Sequence, residues 1–348
     1  MGNGTKESPY TREDVLTLIE KHGGTTQGLD LSGKWFEKGI KLLGISANGL
    51  QEITLKGVDL RGSHLEEADL ACANLEGAIL WEANLEGANL GFANLKGANL
   101  LVANLKRCYF ANANLEGADL GESHLEHANL FQANLEGANL WQAHFESAIL
   151  VQTNMRGANL TLASLTGACL VWAQFSDDTE FAGTDWGDYI LGEERNGDFT
   201  LAKESYWRLR HWHTDAGLYD IAGEFFFREM TARRKAMKWW PNPLNRAFSK
   251  LVSVLCGYGE KPERTVVSAI VIIFGLAIAY HLWGYFTANA SSFWDKLYYS
   301  AVSFTAVGYG NWAPQPTGWA KGAGVVEAFL GVFMMALFLV TFTRKMTR

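Results

Sequence analysis

The sequence lacks several features that define common classes of protein. Its 348 residues include only four cysteines and six prolines. The cysteines are far apart and form no Cys-x-x-Cys pair, which excludes a disulfide scaffold and predicts reduced, small core residues. The first ten residues contain no apolar run, so we expect no signal peptide there. We find no phosphate loop, metal-ligand spacing or nucleophile motif, so the sequence predicts neither an enzyme nor a bound cofactor.

Charge and hydrophobicity are unevenly distributed. Residues 51–190 contain 19 Asp or Glu and 6 Lys or Arg, a net charge of −13. The remaining residues contain 18 acidic and 24 basic side chains, a net charge of +6, and the two parts sum to −7. The longest apolar runs lie after residue 264. This division excludes a single uniform globular domain, and the length allows two or three domains.

A five-residue repeat fills the middle of the chain. From Leu55 to Phe175 every fifth residue is large and apolar, which gives 25 positions. Two residues before each, from Ser63 onward, is a small residue, and it is Ala in 19 of 23 cases. A period of five fits neither a helix nor an ordinary strand. It predicts a square coil with four repeats per turn, with the apolar and small side chains inside and ladders of side chains 20 residues apart.

The pattern Ala-(Asp/Asn)-Leu-x-x, as in residues 83–87, resembles that of the pentapeptide-repeat family. The resemblance implies a right-handed quadrilateral β-helix, which we place at 51–185. A solenoid of this kind needs covers at its ends. Residues 11–22 predict a capping helix with Thr11 as the N-cap, within an N-terminal cap and lead-in over 1–50.

The family resemblance implies no activity, because function depends on particular sites. We expect a scaffold that binds a cytoplasmic protein or ligand. Some members mimic DNA through an acidic surface, and the net charge is compatible with that weaker alternative. His124 and His144 are 20 residues apart and are expected to stack on adjacent coils, either as part of a polar ladder or as a weak metal site.

A helical connector follows the repeat. The acidic, Gly-rich residues 176–198 predict the end of the repeat. Residues 199–215 and 217–240 predict two helices, which together form a cytoplasmic hairpin over 199–240.

A basic segment, residues 228–250, contains seven Lys or Arg and one acidic residue, Glu229. Basic side chains attract anionic lipids and Trp favours the membrane interface, so this segment predicts contact with membrane lipids. Nucleic-acid binding is the weaker alternative, and we expect no nucleic-acid partner. Residues 244–256 predict an amphipathic helix on the membrane, within an interfacial region at 241–264.

Two apolar segments predict transmembrane helices within a pore domain at 265–348. Residues 265–286 contain no Asp, Glu, Lys or Arg, and residues 322–343 contain only Glu327. At 22 residues each reaches ~33 Å, enough to cross the hydrocarbon core. Basic residues are concentrated outside the loop between them. The sequence therefore predicts a multi-pass protein of the plasma (inner) membrane with both termini in the cytoplasm.

Between these segments, residues 293–304 predict a helix too short to span. The sequence Thr-Ala-Val-Gly-Tyr-Gly follows it and closely resembles the selectivity filter of potassium channels, which carries TVGYG after a short pore helix. The resemblance implies a re-entrant pore loop and a homotetramer, since each chain supplies one wall of the pore. It also implies that potassium ions bind the backbone carbonyls of Thr305, Ala306, Val307, Gly308 and Tyr309, with Gly310 completing the filter.

The filter region departs from the family pattern at three positions. Ala306 replaces a second Thr, which predicts a weaker inner ion site. Asn311 follows Gly310 where many members have Asp, and Val302 stands where some have Glu. The acid pair that supports the filter in those relatives is therefore absent. Glu327 is costly in an apolar span, and we expect it behind the filter, hydrogen-bonded to the pore helix.

Gly331 lies 21 residues beyond Gly310. It falls near the glycine that serves as the gating hinge in the resemblance, and a small residue for helix packing is an equal alternative. No segment carries the regularly spaced Arg of a voltage sensor. Taken together, the sequence predicts a tetrameric potassium channel with a regulatory or partner-binding repeat domain. The alternatives are a poorly selective cation channel and a membrane-tethered scaffold with a vestigial pore.

Overall fold

The structure is a computed structural model that divides into two compact units, Met1–Arg208 and Leu209–Arg348, each of which is described by itself. It describes residues 2–42, 54–238, 240, 243–283, 285–286, 292–307 and 316–346.

The repeat forms a β-helix in the first unit. Parallel bridges join residues 20 apart, such as Asn84 to Asn104 and His124 to His144. Each coil therefore contains four repeats. Backbone hydrogen bonds follow the same rule, and Leu105 N–H donates to the carbonyl of His124 at 2.8 Å. The coils are thus paired backbone to backbone, which satisfies the polar groups of the main chain.

The interior is filled as the five-residue pattern predicts. The large apolar residues and the small residues are both buried, for example Leu85 and Ala83 at 0% exposure. At three polar small positions, Cys108, Ser123 and Thr153, the side chain bonds to a carbonyl, and Thr153 Oγ1 donates to Leu130 O at 2.9 Å. Burial raises the pKa of the Cys108 thiol to about 12. All four cysteines are free thiols, Cys72, Cys108, Cys169 and Cys256.

The second residue of each turn adopts the left-handed region of backbone conformation. Gly97 has φ +63°, and Phe92 and Gln132 have φ +59° and +56° at equivalent positions. Glycine reaches this region without steric cost, whereas other residues do so at some cost. This explains why many repeats end in Gly. Where another residue takes this position, the packing of the stacked coils offsets the steric cost.

The N-terminal end of the β-helix begins earlier than residue 51. Helix α1 (Arg12–Lys21) has Thr11 as its N-cap, as predicted, and Thr11 and Asp14 form a capping box. Asp30 and Trp35 already form parallel bridges to Asp59 and His64. The lead-in is therefore a coil in its own right, with a pattern too irregular for the sequence to show.

At the C-terminal end the coil continues past the last regular repeat, which ends the strict five-residue spacing at Phe175. Asn159 bridges Glu180 and Ser164 bridges Asp185, one residue out of register with the earlier coils. The buried Phe181, Trp186 and Leu191 continue the inward positions after this insertion. The last bridge is at Asp185, within the predicted interval 176–198, and one inserted residue breaks the five-residue spacing without breaking the coil.

A short helix, α2 (Gly192–Arg195), closes this end. The carboxylate of Glu193 accepts a hydrogen bond from Leu170 N–H at 2.8 Å and another from Ser205 Oγ at 3.0 Å. Burial raises the pKa of Glu193. Tyr206 OH donates to Glu194 at 2.7 Å. The bond from Leu170 N–H satisfies a backbone donor at the end of the coil, which would otherwise be part of an open edge.

Two helices form the predicted connector, α3 (Phe199–Asp215) and α4 (Tyr219–Ala236). Gly217 has φ +75° at the break between them. Helix α4 ends at Ala236 rather than at residue 240, because Met237 is extended. Within the second unit, His213 packs on Phe225 with ring centroids 5.2 Å apart.

The rest of the second unit is helical. It contains α5 (Pro243–Cys256), a 3-10 turn, α6 (Pro262–Trp283), α7 (Phe293–Thr305) and α8 (Trp319–Met346). Strand β1 (Tyr285–Phe286) pairs antiparallel with β2 (Pro316–Thr317).

The first span therefore differs from the predicted 265–286. It begins at Pro262, since the first turn of a helix tolerates a missing N–H. It ends at Trp283, because Tyr285 and Phe286 are in a strand.

Candidate functional site

Helix α7 is fixed at its N-terminus by its own sequence. The hydroxyl of Ser292 accepts a hydrogen bond from Trp294 N–H at 3.2 Å, and Asp295 bonds back to Ser292 N–H at 3.1 Å. This capping box satisfies backbone groups that a helix start leaves free. The helix has 13 residues and is too short to cross a bilayer.

Aromatic side chains hold α7 between the two long helices. Tyr299 on α7 and Tyr280 on α6 are 1% and 0% exposed, with ring centroids 5.3 Å apart. Tyr280 also stacks on Trp319 of α8 at 5.7 Å. Tyr299 OH donates to the carbonyl of Ala320 at 3.3 Å. Helix α7 therefore contacts both α6 and α8.

A buried carboxylate joins all three helices. Glu327 on α8 is 0% exposed. Tyr280 OH donates to its Oε2 at 2.9 Å, and Ser300 Oγ on α7 is hydrogen-bonded to its Oε1. Ser300 Oγ also lies 2.9 Å from the carbonyl of Ile273 on α6. The hydrogen bond to the short helix that the sequence predicts for Glu327 is therefore present.

Sequence reasoning missed the two partners of Glu327. A single carboxylate in an apolar span signals that a partner exists. However, the spacing along the chain does not identify it, since Tyr280 and Ser300 are 47 and 27 residues away. Only the packing of three helices brings these side chains together.

The C-terminal end of α7 begins the predicted filter. Thr305 is the last helical residue, so the predicted filter start at Thr305 lies within the helix. Its Oγ1 donates to the carbonyl of Ala301 at 2.8 Å. Ala306 is left-handed, with φ 52° and ψ 24°, and turns the chain out of the helix. Val307 is 81% exposed in the single chain.

Several predicted site residues lie outside the described residues: Gly308, Tyr309, Gly310 and Asn311. Val302 is half-buried on α7, and its carbonyl lies 3.3 Å from the hydroxyl of Thr305.

Gly331 packs closely on the short helix. A Cβ at this position would overlap the carbonyl of Phe304. This geometry supports the packing alternative for Gly331, and the hinge role stays a prediction.

Family comparisons match both parts of the chain. Residues 256–348 match the family model described as an ion channel. Pentapeptide repeats match in eight copies over residues 50–87, 83–121, 103–142 and 142–177. The chain carries pentapeptide repeats and an ion-channel domain. No curated protein matches the sequence at a significant level.

Solved structures similar to the chain are pentapeptide-repeat proteins. HetL of the cyanobacterium Nostoc sp. strain PCC 7120 is 24% identical, covers 51% of this chain and 96% of its own, and has a TM-score of 0.17. QnrB1, a plasmid-mediated fluoroquinolone resistance protein, is 17% identical over 49% and 90%, with a TM-score of 0.31. A protein of the Arabidopsis thaliana thylakoid lumen is 33% identical over 32% and 68%, with a TM-score of 0.17.

Two helices of the ion-channel domain are long and apolar enough to cross a membrane, Pro262–Trp283 and Trp319–Thr343. Only 17% and 22% of their most apolar windows are buried within the chain. A core helix of a soluble domain would be mostly buried, so their exposure favours a membrane environment.

Helix α5, which the sequence predicts to lie at the membrane interface, exposes one apolar face just before the first span. Leu244, Phe248 and Leu251 are 82%, 67% and 52% exposed and recur at helical spacing. The predicted lipid-binding segment 228–250 also contains Trp240, which is 79% exposed, whereas Trp239 lies outside the described residues.

Some of the basic side chains in this region have structural partners. Arg234 donates to Tyr258 OH at 2.9 Å, and Arg246 donates to the carbonyl of Met237 at 2.6 Å. Lys261 pairs with Glu224 at 3.1 Å. These groups therefore also join α4 to the start of the ion-channel domain.

In the pentapeptide-repeat domain, His124 and His144 stack as predicted, with ring centroids 5.0 Å apart. Each has a glutamate near Nδ1, Glu126 at 3.3 Å and Glu146 at 3.5 Å. Among the residues that the structure describes, no group of three or more His, Cys, Asp or Glu side chains could hold a metal ion.

Proposed function

We propose that four copies of this chain form a potassium-selective ion channel. The observation that carries the proposal is the position of α7. A capped helix too short to span lies between two apolar helices and leads directly into the sequence Thr305–Gly310. The family match to an ion channel over residues 256–348 supports the same conclusion.

The proposed ion sites consist of backbone carbonyls. A potassium ion that sheds water needs oxygen atoms in equivalent positions, and the carbonyls of Thr305 to Tyr309 would supply them. The left-handed Ala306 supports this proposal, because it redirects the chain at the helix end. Non-helical backbone at membrane depth is tolerated only where protein surrounds it or it lines a water-filled path, so we also propose that the loop is re-entrant.

Apolar side chains that are exposed in the single chain support the assembly of four copies. Val307, beside the proposed pore, is 81% exposed, and Phe329 and Val332 on α8 are 76% and 58% exposed. One chain provides one wall of a filter, and neighbouring copies would cover part of these surfaces.

We further propose how the chain is oriented in the membrane and which type of coil the repeats form. The distribution of Lys and Arg supports a plasma (inner) membrane protein with both termini in the cytoplasm, and α5 lying on anionic lipid. The 20-residue bridges support a right-handed quadrilateral coil. Neither matched family is generally a family of enzymes, which supports transport rather than catalysis.

A poorly selective cation channel is the second candidate, and Ala306 favours it. This residue supplies no hydroxyl to the innermost ion site, where relatives have Thr. The carbonyls would remain, so we expect selectivity to be largely retained.

Ion flux tests the proposal. The purified full chain is reconstituted in liposomes, and flux driven by a potassium gradient is compared with flux driven by a sodium gradient, with barium as the blocker. Potassium flux at least about tenfold above sodium flux, blocked by barium, is the expected result. Similar flux of both ions would refute selectivity and favour the second candidate. No flux of either ion, in protein confirmed to be tetrameric and inserted, would favour the membrane-tethered scaffold.

We also propose that a partner or ligand on the pentapeptide-repeat domain biases the gate through the α3–α4 connector. Deletion of residues 1–195 tests this. An open probability unchanged by the deletion under every tested condition would contradict a regulatory role.

A further inference from the structure

The turns of the β-helix form four edges along the coil. Each repeat turns at its last two residues, and turns 20 residues apart stack on successive coils. We define the uncharged edge as six successive turns of this kind: 71–72, 91–92, 111–112, 131–132, 151–152 and 171–172.

The uncharged edge differs in composition from the rest of the domain. Its twelve residues are Ala71, Cys72, Gly91, Phe92, Ala111, Asn112, Phe131, Gln132, Val151, Gln152, Val171 and Trp172. None of these side chains is charged, although residues 51–190 have a net charge of −13. The next edge along the chain carries charges of both signs, with Lys56 paired to Glu76 at 3.0 Å and Lys96 to Glu116 at 2.8 Å.

Large apolar side chains are exposed along the uncharged edge. Phe92 is 63% exposed, Phe131 36% and Trp172 40%. Tyr109 and Ile149, on the face beside it, are 45% and 39% exposed. Exposed polar side chains such as Asn112 and Gln132 lie between these apolar ones, so the edge is uncharged rather than wholly apolar.

We propose that the uncharged edge docks on the same edge of a second copy of this chain. Two domains of net charge −13 repel each other, so they can approach closely only where neither presents charge. A partner with a positively charged surface would instead bind the edges that carry Glu. The strip is uncharged on both copies and is therefore compatible with itself, as an isologous contact requires.

The proposal rests on the tetramer proposed above, because the strip is small. At ~4.8 Å per coil its six turns extend on the order of 25 Å, and the strip is one turn wide. This is less than the ~800 Å² per partner of a stable interface between free proteins. Chains already joined at a pore meet at an effective concentration in the millimolar range, where a weak contact forms.

Rotational symmetry predicts which residues meet. An isologous contact relates its two copies by a twofold axis, so residues near the centre of the strip, such as Gln132, lie close to their own counterparts. A disulfide between the two counterparts requires Cα atoms closer than about 7 Å, so a single cysteine on the strip reports the contact directly.

Gln132 and Gln142 provide a matched pair of test positions. Both are the second residue of a turn, with φ 56° and 55°, but Gln142 is on the opposite edge. Gln132→Cys and Gln142→Cys are made separately in the full chain, in a Cys72→Ala background that removes the native thiol of the strip. Oxidation is expected to cross-link Gln132→Cys at least about tenfold faster than Gln142→Cys. Equal rates would overturn the proposal.

Added charge provides the second test. Phe131→Glu, introduced into Gln132→Cys, is expected to reduce cross-linking to the rate at Gln142→Cys, because two glutamates would face each other across the contact. Trp141→Glu on the opposite edge is the matched control and is expected to leave the rate unchanged. Cross-linking that persists in Phe131→Glu, in protein with unchanged circular dichroism, would contradict docking along this strip.

The mass of the assembly separates the two proposals. Tetrameric protein with equal cross-linking at both positions would overturn edge pairing and leave the channel proposal intact. Monomeric protein would overturn the tetramer, and cross-linking at Gln132→Cys would then have to depend on protein concentration for edge pairing to survive.

Discussion

The repeat domain and the channel domain use apolar residues in opposite ways. In the repeat domain Leu and Ala point inward and are almost all buried within one chain, as Leu95 and Ala98 show at 0% exposure. In the channel domain Val267 on α6 and Phe329 on α8 are 58% and 76% exposed. The first domain completes its own core, whereas the second is complete only with lipid or other copies around it.

This difference indicates what stabilises each part. A buried Leu side chain contributes about 2 kcal/mol through removal from water, and the coils gain this without a partner. In a membrane the surroundings of an apolar helix are themselves apolar, so packing and hydrogen bonds decide how helices associate. The bonds around Glu327 are therefore expected to matter more to the channel domain than any single apolar contact.

The largest effect is expected from a larger residue inside the coil. Ala118 is 0% exposed, and Ala118→Leu would force a large side chain into a narrow, filled interior. We expect a loss of about 3 kcal/mol in unfolding free energy, measured by denaturant unfolding of the full chain in detergent. Glu122→Leu is the control, since Leu162 already occupies the equivalent outward position at φ 60°. An unchanged midpoint for Ala118→Leu would show that the interior is not close-packed.

The next largest effect is expected at Glu327. Glu327→Leu leaves the hydroxyls of Tyr280 and Ser300 without their shared acceptor, which costs about 2 kcal/mol. Glu327→Gln keeps an acceptor and a donor in place. We expect Leu to lower both potassium flux and thermal stability and Gln to retain most of each. Equal loss in both variants would indicate that charge rather than hydrogen bonding is required.

A pH-dependent effect of similar or smaller size is expected in the connector between the two domains. Burial lowers the pKa of His213 to about 4, and its Nδ1 lies 2.7 Å from the carbonyl of Leu209. In the unfolded chain the pKa is about 6.5, so the unfolded state binds more protons as the pH falls below that value. Stability should be full above pH 6.5 and should decrease between about pH 6.5 and 4.

This prediction is checked by the melting temperature of the full chain in detergent at pH 7.5 and pH 5. His213→Leu is expected to reduce the difference in melting temperature between the two pH values, whereas substitution of the exposed His127 by Leu should not. The same difference in melting temperature in the wild type and in His213→Leu would rule out His213 as the source of the pH dependence.

The smallest effect is expected for the ion pairs on the edge next to the uncharged edge, which carries Lys56, Glu76, Lys96 and Glu116. Lys96 and Glu116 form an ion pair at 2.8 Å, but both side chains are about half exposed to solvent. Exposed pairs contribute between 0 and about 1 kcal/mol. We expect Lys96→Ala to leave the midpoint of unfolding within measurement error of the wild type, at low and at high salt alike. A larger change would indicate that the outer ladders contribute to the fold as the interior does.

Regular features were predictable from the sequence, and irregular ones were not. The inward positions from Leu55 onward, the cap at Thr11 and the short helix α7 each follow from a local pattern, and the structure contains them. The extra coil at Asp30 and the one-residue insertion before Phe181 do not follow from it, because both interrupt the five-residue spacing.

The partners of Glu327 illustrate the same limit at the candidate site. Its position in an apolar span predicted a hydrogen bond, since a lone carboxylate there is costly. Nothing in the spacing pointed to Tyr280, which lies on a different helix.

The sequence by itself determined the two-part organisation, the coil interior and the candidate filter. Each of these depends on periodicity or on a short motif, and both act through neighbouring residues in the chain. Only the tertiary structure decided that Tyr280, Ser300 and Glu327 meet and that Gly331 packs against Phe304. These depend on contacts between residues distant in sequence, and such contacts arise only once the chain has folded.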